Sequence, residues 1–584
     1  MRIAVRLVSF ARRHGLLLVL AFICLFLSTG FSLVVPWILR QAIDNITGHG
    51  PSGFLIWASV GILVASALDG IAAYGNNYYS ESASQRMVYD LRNTLYERLQ
   101  RLSLSFHDKT QTGELMSRAT ADVEVVRTFV SRGLLGLAYL VFLFFGITIL
   151  LALLNWRLAL LSLAFLPPIG WRAIVFARRL RPIWRKIQDL YGVIGTTLEE
   201  NLTGVRVVKA FSRQKEESQK LAIQAKELYD TEIGADKQLA LSFPMMVFLV
   251  SLPTALILWY GGRQIIAGNM TLGGLTQFMF YLGLLALPIR RLGYLSNMLS
   301  RSVSAGQRIF EILDAESEVQ EKPNAIELGQ VKGEVAFANV SFGYNASVPI
   351  LKNVSFHVSP GQLVALIGGS GSGKSTIANL VPRFYDVSGG SITIDGTDIR
   401  NVTLTSLRKN IGIVHQDIFL FSATVRDNIA YGAVDATPEQ IIAAAKVAHL
   451  DDFIQGLPDG YDTWVGERGV TLSGGEKQRL AIARTILTDP RVLIFDDSTS
   501  SIDAETERFI RVALDKLIKG RTTFIITHRL PIIQNADLIL VLRDGELVGQ
   551  GRHRELIASN PLYAQIYQAQ TTASENAIRP IGRE

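Results

Sequence analysis

Six stretches of this chain are apolar enough, and long enough, to need a solvent other than water. A bilayer core takes about 20 predominantly apolar residues per helix, and residues 16–38, 54–74, 134–154, 158–176, 243–262 and 275–292 meet that requirement. Six is an even count, so both termini lie on one side. About 60 residues separate the second and third stretches and about 65 the fourth and fifth. Both long connections are rich in Arg and Lys with helical patterning, and basic flanks mark the cytoplasm. The other three connections are short. The long connections, both termini and everything after the sixth stretch are therefore expected inside, as in a multi-pass protein of the inner (plasma) membrane. At about 1.5 Å per residue, a helical excursion of this length reaches some 40 Å into the cytosol and back.

The remaining composition fits. The chain has 584 residues, 19% of them charged, with a formal net charge of +7. The basic residues cluster beside apolar runs, which predicts a membrane partner and no nucleic acid. Cys24 is the only cysteine and lies inside the first apolar run, so neither a disulfide framework nor a cysteine metal site is available. Arg2, Arg6, Arg12 and Arg13 precede that run as they would in a leader peptide, but the run continues too far and lacks a small-residue cleavage pattern; a retained first helix is expected.

Three charges fall inside the apolar stretches. Asp69, Arg172 and Arg290 each lie about 15 residues from the outer start of an inward-running span, which gives them one depth near the inner leaflet. They either snorkel to the interface and pair with one another or form a polar ledge where a substrate enters.

After a polar stretch near residues 316–332, apolar runs alternate with turn signals and helical patterns, as βαβ units do. Within VALIGGSGSGKST, residues 364–367 read as a buried strand. Gly368, Gly369, Ser370, Gly371, Ser372 and Gly373 read as a loop, and Lys374, Ser375 and Thr376 as a helix start. Four glycines let backbone N–H groups converge on phosphate oxygens at the positive end of a helix. Lys374 would reach the β- and γ-phosphates and Ser375 would ligate Mg²⁺, so the loop predicts ATP and Mg²⁺ as cofactors. A second apolar strand, residues 492–495, ends in Asp496 and Asp497. Asp496 is placed to hold Mg²⁺ through water, and its neighbour to orient the attacking water.

Here the sequence resembles a half-transporter of the ATP-binding cassette exporter family, with six membrane helices followed by one cassette. The resemblance covers nearly the whole chain. Tyr344, in VSFGY, matches the aromatic residue that stacks on adenine. Gln416, in GIVHQDIFLFSATVRDNI, matches the glutamine that couples Mg²⁺ and γ-phosphate to the membrane domain. LSGGE, with Ser473, Gly474 and Gly475, matches the signature that caps the γ-phosphate of the opposite subunit's ATP. SSID at residues 500–503 matches the loop that communicates between sites, His528 the switch histidine on γ-phosphate, and WVGERG at 464–469 a stretch typical of exporters. TGELMSRATADVE around Gly113 and TGVRVVKAFSRQKEE around Gly204 match coupling helices that rest on cassettes, or are amphipathic surface helices.

The implied fold is multi-domain. Residues 1–315 form a six-helix α-helical transmembrane domain with long cytoplasmic extensions, and 316–333 a linker. Residues 334–570 form an α/β P-loop nucleotide-binding domain with a helical subdomain, and 571–584 a flexible tail. The implied function is ATP-driven export of a drug, lipid or other amphipathic molecule by a dimer. One position departs from the family pattern: the residue after the Mg²⁺ aspartate is normally glutamate, and here it is Asp497. Withdrawing a carboxylate by one methylene, about 1.5 Å, is expected to cost on the order of 10²-fold in rate, while binding survives. That resembles the degenerate-site subunit of heterodimeric exporters. A slow homodimer and an ATP-gated regulatory subunit stay open beside it.

Overall fold

The structure, a computed structural model, describes residues 2–345, 348–466, 472–497, 504–527 and 529–578. These form two compact units, one made of residues up to Gln100 with Thr112–Asp314, the other of Arg101–Gln111 with the chain from Ala315 onward.

The first unit is helical. α1 (Arg2–Arg12) leads into α2 (Gly15–Thr47) and the 49-residue α3 (Gly53–Arg101). The short α4 (Leu104–Lys109) is set aside in the second unit. α5 (Thr112–Ser117), a π-helical turn (Arg118–Asp122), α6 (Val123–Thr128) and a second π-helical turn (Phe129–Leu134) run without a break into α7 (Leu135–Leu163). α8 (Leu166–Thr203), α9 (Val205–Ala210), α10 (Gln214–Ile266) and α11 (Leu272–Asp314) complete it. Among the described residues, four helical runs are long and apolar enough to cross a membrane: Gly15–Thr47, Gly53–Arg101, Thr112–Thr203 and Gln214–Ile266. The third holds two of the apolar stretches, and the sixth stretch begins in the apolar segment Leu272–Leu285.

Breaks fall where backbone chemistry puts them. Inside α7, Asn155 leaves the helical region (φ −161°, ψ 105°), and its side-chain oxygen accepts from the N–H groups of Arg157 and Leu158, each at 3.1 Å. Asn competes with the helix in this way wherever it can cap a new turn. The fourth stretch, expected as one helix over 158–176, is divided at Ala164 and Phe165. The pair Pro167–Pro168 has no N–H to give and restarts the helix in its first turn.

Leu143, Ile147 and Leu151 of α7 pack with Ile257 of α10 and Phe278 and Tyr281 of α11. Tyr281 donates to the carbonyl of Leu33 at 2.8 Å. At the outer end, the Asp44 carboxylate accepts from Thr271 Oγ1 (2.9 Å) and from Gly273 N (3.0 Å), closing the start of α11. Toward the opposite end the ties are ionic: Arg308 grips Asp122, and Arg6 grips Asp314. Large apolar side chains such as Leu16, Phe26, Trp57, Leu153 and Trp259 stay exposed along the long helices, the surface a hydrocarbon solvent would cover. Asp69 accepts from Ser28 Oγ (2.5 Å) and Arg172 lies against Met245 Sδ (3.5 Å), so these two charges do not pair with each other. The side chain of Arg290 lies outside the described residues.

The second unit is α/β. An antiparallel sheet of order β2-β1-β4-β5 comprises β1 (Val335–Phe342), β2 (Leu351–Val358), β4 (Gly389–Ile394) and β5 (Thr397–Asp398). The main sheet runs β12-β11-β3-β10-β9-β6. Its strands are β3 (Leu363–Gly368), β6 (Ile411–Val414), β9 (Val492–Asp497), β10 (Thr522–Thr527), β11 (Leu538–Arg543) and the antiparallel edge β12 (Glu546–Gly551). All six residues of β10 are buried, as expected of a parallel strand covered on both faces. Val354, Phe356, Val364, Leu366, Ile494 and Phe524 fill the space between the sheets. On the other face, helices of residues 425–430, 438–447, 451–455, 474–487 and 504–518 enclose a second core around Leu480, Ile482, Phe495 and Ile525. The last helix, Pro561–Ile578, extends well past Thr571, where a flexible tail was expected; between 571 and 578 no Gly or Pro interrupts it.

Candidate nucleotide-binding site

The loop that follows β3 is built on glycines, two of which leave no room for a side chain. A Cβ on Gly368 would collide with the carbonyl of Leu542. Gly373 sits at φ +103°, and a Cβ there would lie 2.5 Å from Leu351 Cδ2. Gly371 is also left-handed, at φ +75°. With Gly369 and Ser370 these residues turn the chain from the buried strand into the helix Lys374–Leu380.

Inside the turn, Lys374 Nζ donates to the carbonyls of Gly368 (3.0 Å) and Gly369 (2.7 Å), folded back over the loop. Burial lowers the pKa of this ammonium, opposed by the charge of Asp496. Ser372 Oγ is buried and has no hydrogen-bond partner among the described residues. A desolvated cation and an orphaned hydroxyl in one glycine cradle fit a polyphosphate, whose oxygens would satisfy both. Ser375 is exposed and Thr376 buried just beyond. Tyr344 is brought to the same place: its hydroxyl lies 3.4 Å from Thr376 Oγ1. Its ring is held edge-on by Phe342 (5.0 Å) and Tyr385 (5.1 Å) and is otherwise open.

Register places the acids. Ile526 of β10 is paired with Leu366 of β3 on one side and with Asp496 of β9 on the other. Asp496 therefore stands at the carboxyl end of the sheet, two strands and about 10 Å from the strand that feeds the loop. Gln416 is exposed just beyond β6, whose Val414 is level with Phe495. Asp497 ends β9 opposite Thr527; its side chain lies outside the described residues, as do His528 and residues 500–503.

Ser473 caps the helix Gly474–Leu487. Its backbone N–H donates to Glu476 Oε2 (2.7 Å) while its hydroxyl accepts from Glu476 N (3.4 Å). Gly474 is exposed and Gly475 buried behind it. Of WVGERG, Trp464 and Val465 form β8, paired with Ala423 and Thr424 of β7; residues 467–469 lie outside the described residues.

Two participants escaped the sequence reading. His415 directly follows β6, whose Val414 pairs with Phe495, and partial desolvation lowers its pKa against the pull of Asp496. The second is α4. The piece of the first excursion built into this unit is Arg101–Gln111, ahead of the TGELMS segment around Gly113, which groups with the helical unit. Tyr385 donates to Asp108 (2.5 Å) and Lys109 pairs with Glu318 (2.9 Å). Burial, and then the hydrogen bond to Asp108, raises the Tyr385 pKa and keeps the phenol protonated. The available signal was the polar run SFHDKTQ breaking a long helical pattern.

The comparisons with known proteins agree with this geometry. Residues 18–289 match the ABC transporter transmembrane region and residues 351–500 the ABC transporter ATP-binding domain family. The chain belongs to the ABC transporter family: it is a membrane-spanning half-transporter with an ATP-binding domain on the cytoplasmic side, and an ATPase coupled to export. It is 38% identical over 565 residues to the ATP-dependent lipid A-core flippase of Syntrophus aciditrophicus (strain SB), covering 97% of this chain and 94% of that one. It is likewise 38% identical over 554 residues to the uncharacterized ABC transporter ATP-binding protein YknU of Bacillus subtilis (strain 168), covering 94% of each. A bacterial Atm1-family ABC exporter with ATP bound superposes with a TM-score of 0.79 at 33% identity, covering 98% of this chain and 99% of that chain.

Proposed function

We propose that this subunit exports an amphipathic molecule, a lipid or a drug-like compound, as one half of a dimer whose two ATP sites are each completed by the other subunit. The carrying observation is the cradle of Gly368, Gly371 and Gly373 with Lys374 and the buried Ser372 hydroxyl, on the same chain as four long apolar helical runs among the described residues. In this reading Tyr344 stacks on adenine, while the N–H groups and side chains from Gly368 to Thr376 hold the phosphates. Ser375, Gln416 and Asp496 would hold Mg²⁺, which would supply positive charge to the phosphates. Ser473, Gly474 and Gly475 cap the partner's nucleotide. Asp497 orients water from one methylene too far and His528 contacts the γ-phosphate, so this subunit's own site holds ATP longer than it cleaves it. A second half-transporter carrying glutamate at the matching position would make a faster site under this chain's LSGGE, which favours a heterodimer. The flippase named among the relatives supports a lipid-like cargo.

The test is translocation in proteoliposomes. A panel of fluorescent phospholipid analogues and amphipathic dyes should cross in an ATP-dependent manner with the wild-type chain and its partner, and not with Lys374→Ala. Translocation equal with and without ATP across the panel would refute export.

A further inference from the structure

Where the second and third apolar stretches meet the cytoplasmic side, the helical unit carries a cavity of about 760 Å³. One wall is α3 from Tyr74 to Arg86; the other is the π-helical turn Phe129–Leu134, which presents Arg132. π-helical turns inside long helices are frequent at functional sites, because the extra residue re-aims its neighbours. Tyr74 and Tyr78 lie stacked, ring centroids 6.2 Å apart and 13° from parallel, and remain 71% and 57% exposed.

The charge on these walls is unbalanced. Glu81, the one acid lining the cavity among the described residues, is gripped by Arg127 and also accepts from Gln85 Nε2 (3.1 Å). Arg86 and Arg132 are both exposed, and neither has a hydrogen-bond or carboxylate partner among the described residues. Two unpaired guanidiniums beside open tyrosine rings make a recognisable chemistry. Guanidinium binds phosphate or carboxylate through paired N–H groups, and aromatic rings at a membrane edge hold the apolar part of an amphiphile. The depth order matches. Tyr74 closes the second apolar stretch, and Arg86 lies twelve residues further along the same helix, about 18 Å toward the cytosol.

We infer that this cavity is a headgroup site for amphipathic anions, with Tyr74 and Tyr78 against the apolar part and Arg86 and Arg132 on a phosphate or carboxylate. It rests on the export reading only in making that amphiphile the cargo.

Native mass spectrometry of the full-length chain, without nucleotide, tests it by titration with phosphatidate and with phosphatidylcholine of the same acyl chains. The wild-type chain should bind phosphatidate at least about tenfold more tightly. Arg86→Gln with Arg132→Gln should erase that preference, and Arg86→Lys with Arg132→Lys should keep most of it; the lysine pair and the wild-type comparison still decide if the glutamine pair fails to fold. Equal affinity for both lipids, or an unchanged preference in a folded glutamine pair, overturns the site. Inorganic phosphate displacing phosphatidate at comparable concentration would show that the cavity takes free oxyanions, and overturns the amphiphile assignment. Because nucleotide is absent, failure here strikes the headgroup site, whereas failure of ATP-dependent translocation strikes the export reading.

Discussion

Lys374 spends two of its three donors on its own loop, and in the proposed reading that posture keeps it ready for nucleotide. An ammonium desolvated beside Gly368 and Gly369 would exchange two carbonyls for phosphate oxygens on binding nucleotide. Lys374→Ala is expected to weaken ATP binding by at least about tenfold, read by equilibrium binding of a fluorescent ATP analogue. Gly373→Ala attacks the same loop through the backbone. At φ +103°, with Leu351 in the way, it should cost about 1–3 kcal/mol of stability of the nucleotide-binding unit by thermal unfolding. Much of this site was legible in the letters, because glycines at fixed spacing before GKS leave the backbone few alternatives. His415 was not: a lone histidine in VHQ carries no pattern, and only the parallel pairing of β6 with β9 brings the end of β6 beside the strand that ends in Asp496 and Asp497.

At the scale of elements, the apolar stretches located the long helices, since a hydrocarbon solvent demands both length and continuous hydrophobicity. What they could not locate was the break at Ala164, because a Pro pair inside an apolar run reads as membrane whether it kinks a helix or restarts one. Nor could they show which part of the first excursion belongs with the cassette. The ties that hold α4 there include Tyr385–Asp108, Ser105–Glu318 and Lys109–Glu318, and none follows a periodicity. Tyr385→Phe, leaving Asp108 without its donor, should cost about 1–2 kcal/mol and loosen α4 while ATP binding persists. The effect is pH-dependent. Tyr385's pKa is raised in the folded state, so an unfolded chain, with an ordinary phenol near pH 10, releases this proton first. Stability then falls as pH rises above about 10, and the advantage of wild type over Tyr385→Phe should shrink there in thermal melts. At the outer end, Asp44→Asn weakens the tie to Thr271 and Gly273 and should cost about 1 kcal/mol.

Across the whole molecule, ATP binding and ATP cleavage separate: in the proposed reading the site holds nucleotide firmly and cleaves it slowly. The cradle, the strand order and the family membership support ATP binding, while Asp497, in the proposed reading, offers a carboxylate one methylene shorter than glutamate to orient water. Binding is separable from cleavage in such a site, because phosphate contacts are made by the loop and the attacking water by the far strand end. The central claim is that this chain holds ATP well and hydrolyses it slowly by itself. It is tested most directly by the ATP turnover of the purified chain in lipid, wild type beside Asp497→Glu. Slow turnover is expected in the wild type, with a rise on the order of 10²-fold in Asp497→Glu and ATP affinity unchanged; rapid wild-type turnover that Asp497→Glu leaves unaltered would rule out slow cleavage at this site.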